Sequence, residues 1–196
     1  MKKVVVFVCL MLVACASLFA IPVWDWTNVA FEGGYSFNRS YGQPVQLGLD
    51  ISHYTIYARR VGFYERFGFQ FGLAAPTTDI RIPVSVGVAF SSIIAGGTQL
   101  YVGVGPQVTL ASYGKTPRND NEYQYGMQCD LGFRFRTVSA SDGDIAIIAG
   151  AIGTVSFYHV ANESKKGFSG DLLGYVGLSL GLDLTPDDPY NGVVYY

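Results

Sequence analysis

The sequence lacks cysteine pairs, lysine-rich faces and, beyond its first twenty residues, any helical periodicity. Of the three cysteines, Cys9 and Cys15 fall in the N-terminal apolar segment, leaving Cys129 alone in the body of the chain. One thiol forms no internal bridge, which excludes a disulfide framework and a cysteine metal cluster. Lysine is nearly absent: after Lys2 and Lys3 only Lys115, Lys165 and Lys166 remain. Without the two N-terminal lysines the 13 basic residues fall to 11 against 15 acids, so the body of the chain is acidic. That balance argues against a nucleic-acid partner. Phosphate loops, paired-histidine zinc motifs and calcium loops are missing, so no cofactor and no metal is expected. Capped 3.6-period segments are missing too, which leaves strands as the means of burying a chain that is 49% hydrophobic.

What is present begins at the N-terminus. Lys2 and Lys3 precede an apolar run from Val4 to Ala14, followed by small residues at Ala14-Cys15-Ala16 and at Ala20. This is the order of a secretory signal peptide, with an apolar core too short to span a bilayer as a helix. Cleavage after Ala16 competes with cleavage after Ala20. A third reading makes Leu12-Val13-Ala14-Cys15 a lipobox with Cys15 lipidated, although the residues that follow stay apolar. Residues 1–20 are taken as the signal peptide, 21–184 as one folded unit and 185–196 as a C-terminal periplasmic tail.

Within that unit the period is two. Leu172, Val176, Leu178, Leu180, Leu182 and Leu184 share one phase; Tyr175, Gly177, Ser179, Gly181 and Asp183 share the other. The same split recurs in Asp79–Ser91, in Gln99–Ser112 and in Glu122–Arg136, and more weakly in Val29–Asn38 and Gln43–His53. With Val61–Ala74 and Asp144–Tyr158, the latter apolar on both phases, the count is about eight strands. Each is long enough to cross a membrane at a tilt.

Composition indicates which face meets lipid. No assigned strand holds a lysine, and the polar phase is crowded with glycines such as Gly87, Gly103, Gly105, Gly132 and Gly177. Glycine weakens a strand unless something must approach the backbone, as inside a narrow closed barrel. The apolar phase is nearly free of charge and suits hydrocarbon. Glu65 is the exception, between Phe63 and Phe67 on that phase, either at the periplasmic interface or turned inward by a bulge. Cys129, on the apolar phase, reads as a lipid-facing small hydrophobe. Aromatics towards strand ends, including Trp24, Trp26, Tyr35, Phe37, Phe63, Phe90, Tyr123, Tyr125, Phe157 and Tyr158, suit interfacial girdles. The expected fold is all-β: a single up-and-down antiparallel transmembrane β-barrel of eight strands. With both termini periplasmic, the longer polar connectors Tyr113–Asn121 and His159–Gly170 fall outside.

At this point the chain resembles the small outer-membrane barrels of the OmpX/OmpW type. The resemblance rests on the signal, the eight strands and the terminal segment Tyr175-Val-Gly177-Leu-Ser-Leu180-Gly-Leu182, which is similar to their assembly signal. It departs from them in continuing through Thr185–Tyr196. The resemblance implies a bacterial outer-membrane location, outer-membrane lipid and the assembly machinery as partners, and a host or surface molecule met through the outer loops.

The charges on the polar phase are the main candidate site: Glu32, Asp50, Asp130 and Asp183 against Arg66, Arg81, Arg134 and Arg136. Facing one another across a narrow lumen, they form either a polar conduit or a filled, hydrogen-bonded core. Loop contacts are assigned to Lys115, Arg118, Lys165 and Lys166. Catalysis has little support. His53 and His159 fall at opposite ends of the strands, and nothing fixes His159 against Ser156, Ser164 and Asp171. The functions to weigh are therefore three: a structural or surface-interaction barrel, a narrow pore or transporter for small hydrophobic molecules, and a soluble periplasmic lipocalin-like carrier.

Overall fold

A computed structural model describes residues 23–37, 45–57, 60–73, 79–95, 98–113, 120–140, 143–160, 164–165 and 168–183. The signal segment with Cys15, the tail, and the loop residues Lys115, Arg118 and Lys166 lie outside them. The strands are β1 (Val23–Ser36), β2 (Val45–Tyr57), β3 (Val61–Gly72), β4 (Asp79–Ala95), β5 (Thr98–Tyr113), β6 (Asp120–Ala140), β7 (Gly143–Val160), β8 (Ser164–Lys165) and β9 (Ser169–Asp183). β8 is a two-residue strand that pairs only with the end of β7. The other eight are antiparallel and run in the order β6-β5-β4-β3-β2-β1-β9-β7, and the β6–β7 pairing closes the ring.

The register sets the barrel's geometry. Starting at Leu182, the rows pass through Asp25, Thr55, Phe63, Val88, Val104, Cys129 and Gly153 and return to β9 at Leu172. The stagger from Leu182 to Leu172 is ten residues, which for eight strands means a tilt of roughly 40° and an interior just wide enough for side chains. β2–β3, β4–β5 and β6–β7 are joined by the short segments 58–60, 96–97 and 141–142 at the end where β1 starts and β9 finishes. The remaining connections lie at the other end. These are called the turn end and the loop end.

The faces follow the pleat. Val29, Phe31, Val84, Val86, Val88, Val104, Leu131, Val176, Leu178 and Leu180 point outward, with Phe31 71% and Leu180 61% exposed. Asn28, Glu32, Gln46, Asp50, Arg66, Arg81, Gln107, Gln124 and Asp130 are buried inside. A closed ring of paired strands with an apolar exterior and a polar core is a hydrocarbon-facing barrel. The greasy surface is outside, which removes the lipocalin-like reading. Cys129 is exposed on the outer face.

Two expectations are corrected, and the choice left open for Glu65 is settled. β1 begins at Val23 rather than Val29, and its inward phase carries Trp26, which is buried against the core with Trp24 packed on it, so neither tryptophan joins an outer girdle. Tyr35, Phe37, Phe71, Tyr123 and Tyr125 do face outward near the loop end, and Phe63, Phe90 and Phe135 do so nearer the turn end. β6 starts at Asp120, so the connector to it is only residues 114–119, whereas the segment between β1 and β2, residues 37–44, is longer. Glu65 is exposed, with no register break in β2–β3, so no bulge turns it inward.

Candidate functional site: the filled lumen

The barrel interior is built in three tiers, each centred on an arginine. In the tier nearest the loop end, Arg81 from β4 reaches across to β9. Its Nη1 donates to Asp171 Oδ1 at 2.6 Å and to Ser36 at 3.2 Å, and its Nη2 to Asp171 Oδ2 at 3.1 Å and Gln124 at 2.9 Å. Thr154 adds a hydroxyl to Asp171 Oδ2 at 2.7 Å. The planar guanidinium matches both carboxylate oxygens at once, which a lysine could not do.

In the middle tier Arg66 from β3 binds two acids. Its Nη2 donates to Glu32 at 2.5 Å, its Nε pairs with Asp50, and its Nη1 donates to Gln128 at 2.9 Å. Gln70 holds the second Glu32 oxygen at 2.8 Å, and Ser85 donates to Gln128 at 2.9 Å. Beside this cluster Asp130 accepts from Tyr54 and from Tyr175, the latter at 2.8 Å, and Tyr175 meets Tyr101 hydroxyl to hydroxyl at 2.8 Å. Burying these ions costs much solvation, offset only because partners and hydrogen bonds surround each.

Towards the turn end the interior becomes aromatic. Trp26 stacks on Tyr54 at 5.3 Å, Tyr54 on Tyr64 at 5.7 Å, and Tyr101 stands edge-on to Tyr54 at 5.0 Å. Ile148, Ile152 and Leu173 complete this cluster. Below it Arg134 lies over the Trp26 ring at 5.6 Å, donates from Nε to Ser179 at 2.8 Å, and grips Asp144 with both terminal nitrogens. Glycines make room for the rings: a Cβ on Gly103 would stand 3.0 Å from the Tyr64 ring, and one on Gly132 would meet Tyr101 and Tyr175.

Of the residues singled out from the sequence, Glu32, Asp50 and Arg66 form one cluster, while Arg81, Asp130 and Arg134 each belong to a different part of the lumen. Arg136 is a correction. The pairing with β7 is irregular between Arg136 and Val138, and the side chain ends at the rim, 42% exposed, with its Nε 2.6 Å from Asp144. Asp183 pairs by its backbone with Trp24, and its side chain lies outside the described part. Lys165 is placed only by its backbone in β8. Ser156 is buried in the wall and Asp171 is committed to Arg81 and Thr154, so these two do not form a catalytic set.

Sequence reasoning missed both outer acids and the aromatic cluster. Asp171 stands one position before the assigned start of the last strand, on the same phase as Tyr175. Asp144 was hidden because β7 is apolar on both phases, Ile148 and Ile152 inside and Ile145 and Ile147 outside. Trp26 and Tyr54 lie just past the assigned strand ends, where the lipid-side alternation fails at Asp25, Thr27, His53 and Thr55.

No family model matches the chain, and no curated protein is similar enough in sequence to match it. Among solved structures, Neisserial surface protein A is similar at 13% identity and a TM-score of 0.58, covering 83% of this chain and 97% of that one. OprG from Pseudomonas aeruginosa aligns at 11% identity and a TM-score of 0.43, over 83% of this chain and 96% of that one. Ail of Yersinia pestis, solved with the heparin analogue sucrose octasulfate, aligns at 11% identity and a TM-score of 0.45, over 81% and 99%. The first of these establishes the shared fold, that of the small eight-stranded outer-membrane barrels.

Proposed function

We propose that this chain is a bacterial outer-membrane barrel whose transmembrane part is a sealed support and whose loops at the opposite end from the termini meet the cell's surroundings. One observation carries the reading: paired ions, glutamines and stacked rings occupy the lumen from Arg81 to Arg134. A solute moving through would have to break pairs whose separation leaves desolvated charge. A barrel of eight strands has little width beyond what those side chains fill.

On this reading the wall works with outer-membrane lipid and the assembly machinery. On the same reading Lys115, Arg118, Lys165 and Lys166 are loop cations offered to a host or surface molecule. The test is planar-bilayer recording with the refolded full chain, alongside protease sensitivity at Lys115 and Lys165–Lys166 on intact cells. Silence in the bilayer with cleavage from outside is the expected result. Reproducible single-channel steps, or flux of small hydrophobic solutes into vesicles, would replace this reading with transport.

A further inference from the structure

The lipid-facing wall carries one polar seam. On β1 it holds Asp25 and Thr27, on β2 His53 and Thr55, and on β3 Glu65, all on the outward phase. Thr27 Oγ1 lies 3.1 Å from His53 Nδ1, Asp25 Oδ1 lies 3.5 Å from His53 Nε2, and Thr55 Oγ1 lies 3.4 Å from the other Asp25 oxygen. In the register Thr27 is opposite His53, and His53 is opposite Glu65. Leu180 and Val86 bound the same row on either side. His53 has 41% of its side chain exposed.

Glu65 is the residue this arrangement must explain. It stands four positions into β3, about 10 Å above Val61 along the barrel axis, within an apolar belt about 25 Å tall. Phe63 and Phe67 flank it on its own strand, both exposed. Among the described residues no ion pair or hydrogen bond reaches its carboxylate. Thinning of the bilayer would wet Asp25 and Thr55 at the rim long before it wetted a carboxylate at that height.

We infer that this seam is the contact between two copies of the chain in the membrane, with His53 of each copy against Glu65 of the other. Copies inserted by one route share an orientation, so a two-fold axis relating them runs along the membrane normal and matches residues of equal depth. His53 and Glu65 are register partners, separated in depth by only about 3 Å at the barrel's tilt. An axis passing between β2 and β3 therefore sets His53 against Glu65 twice over, with Ile51, Phe63 and Phe67 packing around them. The seam offers both an imidazole and a carboxylate that has no partner of its own among the described residues, so a second copy of the same seam meets each with the other.

The test uses the full chain with Cys9→Ala, Cys15→Ala and Cys129→Ala, refolded into phosphatidylcholine vesicles, folding being verified by heat-modifiable gel migration. Ile51→Cys should cross-link under copper-phenanthroline oxidation in proportion to the protein-to-lipid ratio, and Val104→Cys, on β5 and more than a quarter-turn round the ring, should not. Glu65→Ala or His53→Ala should lower the dimer fraction about tenfold, and the exchange His53→Glu with Glu65→His should restore it. A chain that stays monomeric at every ratio, equal cross-linking at Val104, or dimers indifferent to both single substitutions would each overturn the inference.

Discussion

Arg66 is the residue on which most of the buried charge converges, since Glu32 and Asp50 both rely on it. Removing one partner from a buried cluster leaves the others desolvated and unpaired, at a cost of about 3–5 kcal/mol. Arg66→Met is therefore expected to lower the unfolding free energy of the refolded barrel, read from the midpoint and slope of its denaturant curve, by an amount of that size. Adding Glu32→Gln and Asp50→Asn should recover most of it, because the penalty comes from stranded carboxylates rather than from the lost guanidinium. Trp26, buried in the core, provides the fluorescence readout for both unfolding curves. Gly132 gives a steric counterpart: a side chain there meets the Tyr101 ring and the Tyr175 hydroxyl, so Gly132→Val should cost about 1–3 kcal/mol by overpacking. A gain in stability from Gly132→Val would show that the rings are loosely held.

At the scale of the strand, what could be read from the sequence depended on whether its two faces differ in polarity. β5 and β9 were legible because Val104 and Val108, or Leu178 and Leu180, alternate with glycine and polar residues. β1 and β2 were legible only towards the loop end. Near the turn end their polarity inverts, with Trp26, Tyr54 and Ile56 inside and Asp25, Thr27, His53 and Thr55 outside. A rule that assigns apolar residues to lipid stops at that inversion, which is why the aromatic cluster went unseen. β7 failed differently, since isoleucines on both faces carry no phase information. The arginine partners were partly legible for a geometric reason: parity places a side chain inside, but only the ten-residue stagger decides which inward groups meet across the lumen. β4 offers the plainest check on the lipid face. Val86→Arg should destabilise the folded barrel by about 2–4 kcal/mol in vesicles, because the cation replaces an exposed apolar side chain within the belt. An Arg at Val86 that leaves the unfolding midpoint unchanged would mean water, not hydrocarbon, bathes that face.

For the molecule as a whole, closure does what disulfides do for other exported domains. β9 is hydrogen-bonded along its length to β1 on one side and to β7 on the other. Cutting the chain before Ser169 would strip both neighbours of their partners at once. Two open edges in hydrocarbon leave rows of backbone N–H and C=O groups unpaired, each costing several kcal/mol, far more than any tier of lumen side chains can return. The truncated chain should therefore fail to give the heat-modifiable band on unheated SDS gels that the full chain gives, and should remain extractable from vesicles by urea. A permutant that joins the present ends through a flexible linker and opens the chain between Ala95 and Thr98 keeps every strand pair, so it should still fold and migrate as the full chain does. If the permutant failed while the truncation succeeded, strand order during assembly rather than closure of the ring would be what holds this barrel in the membrane.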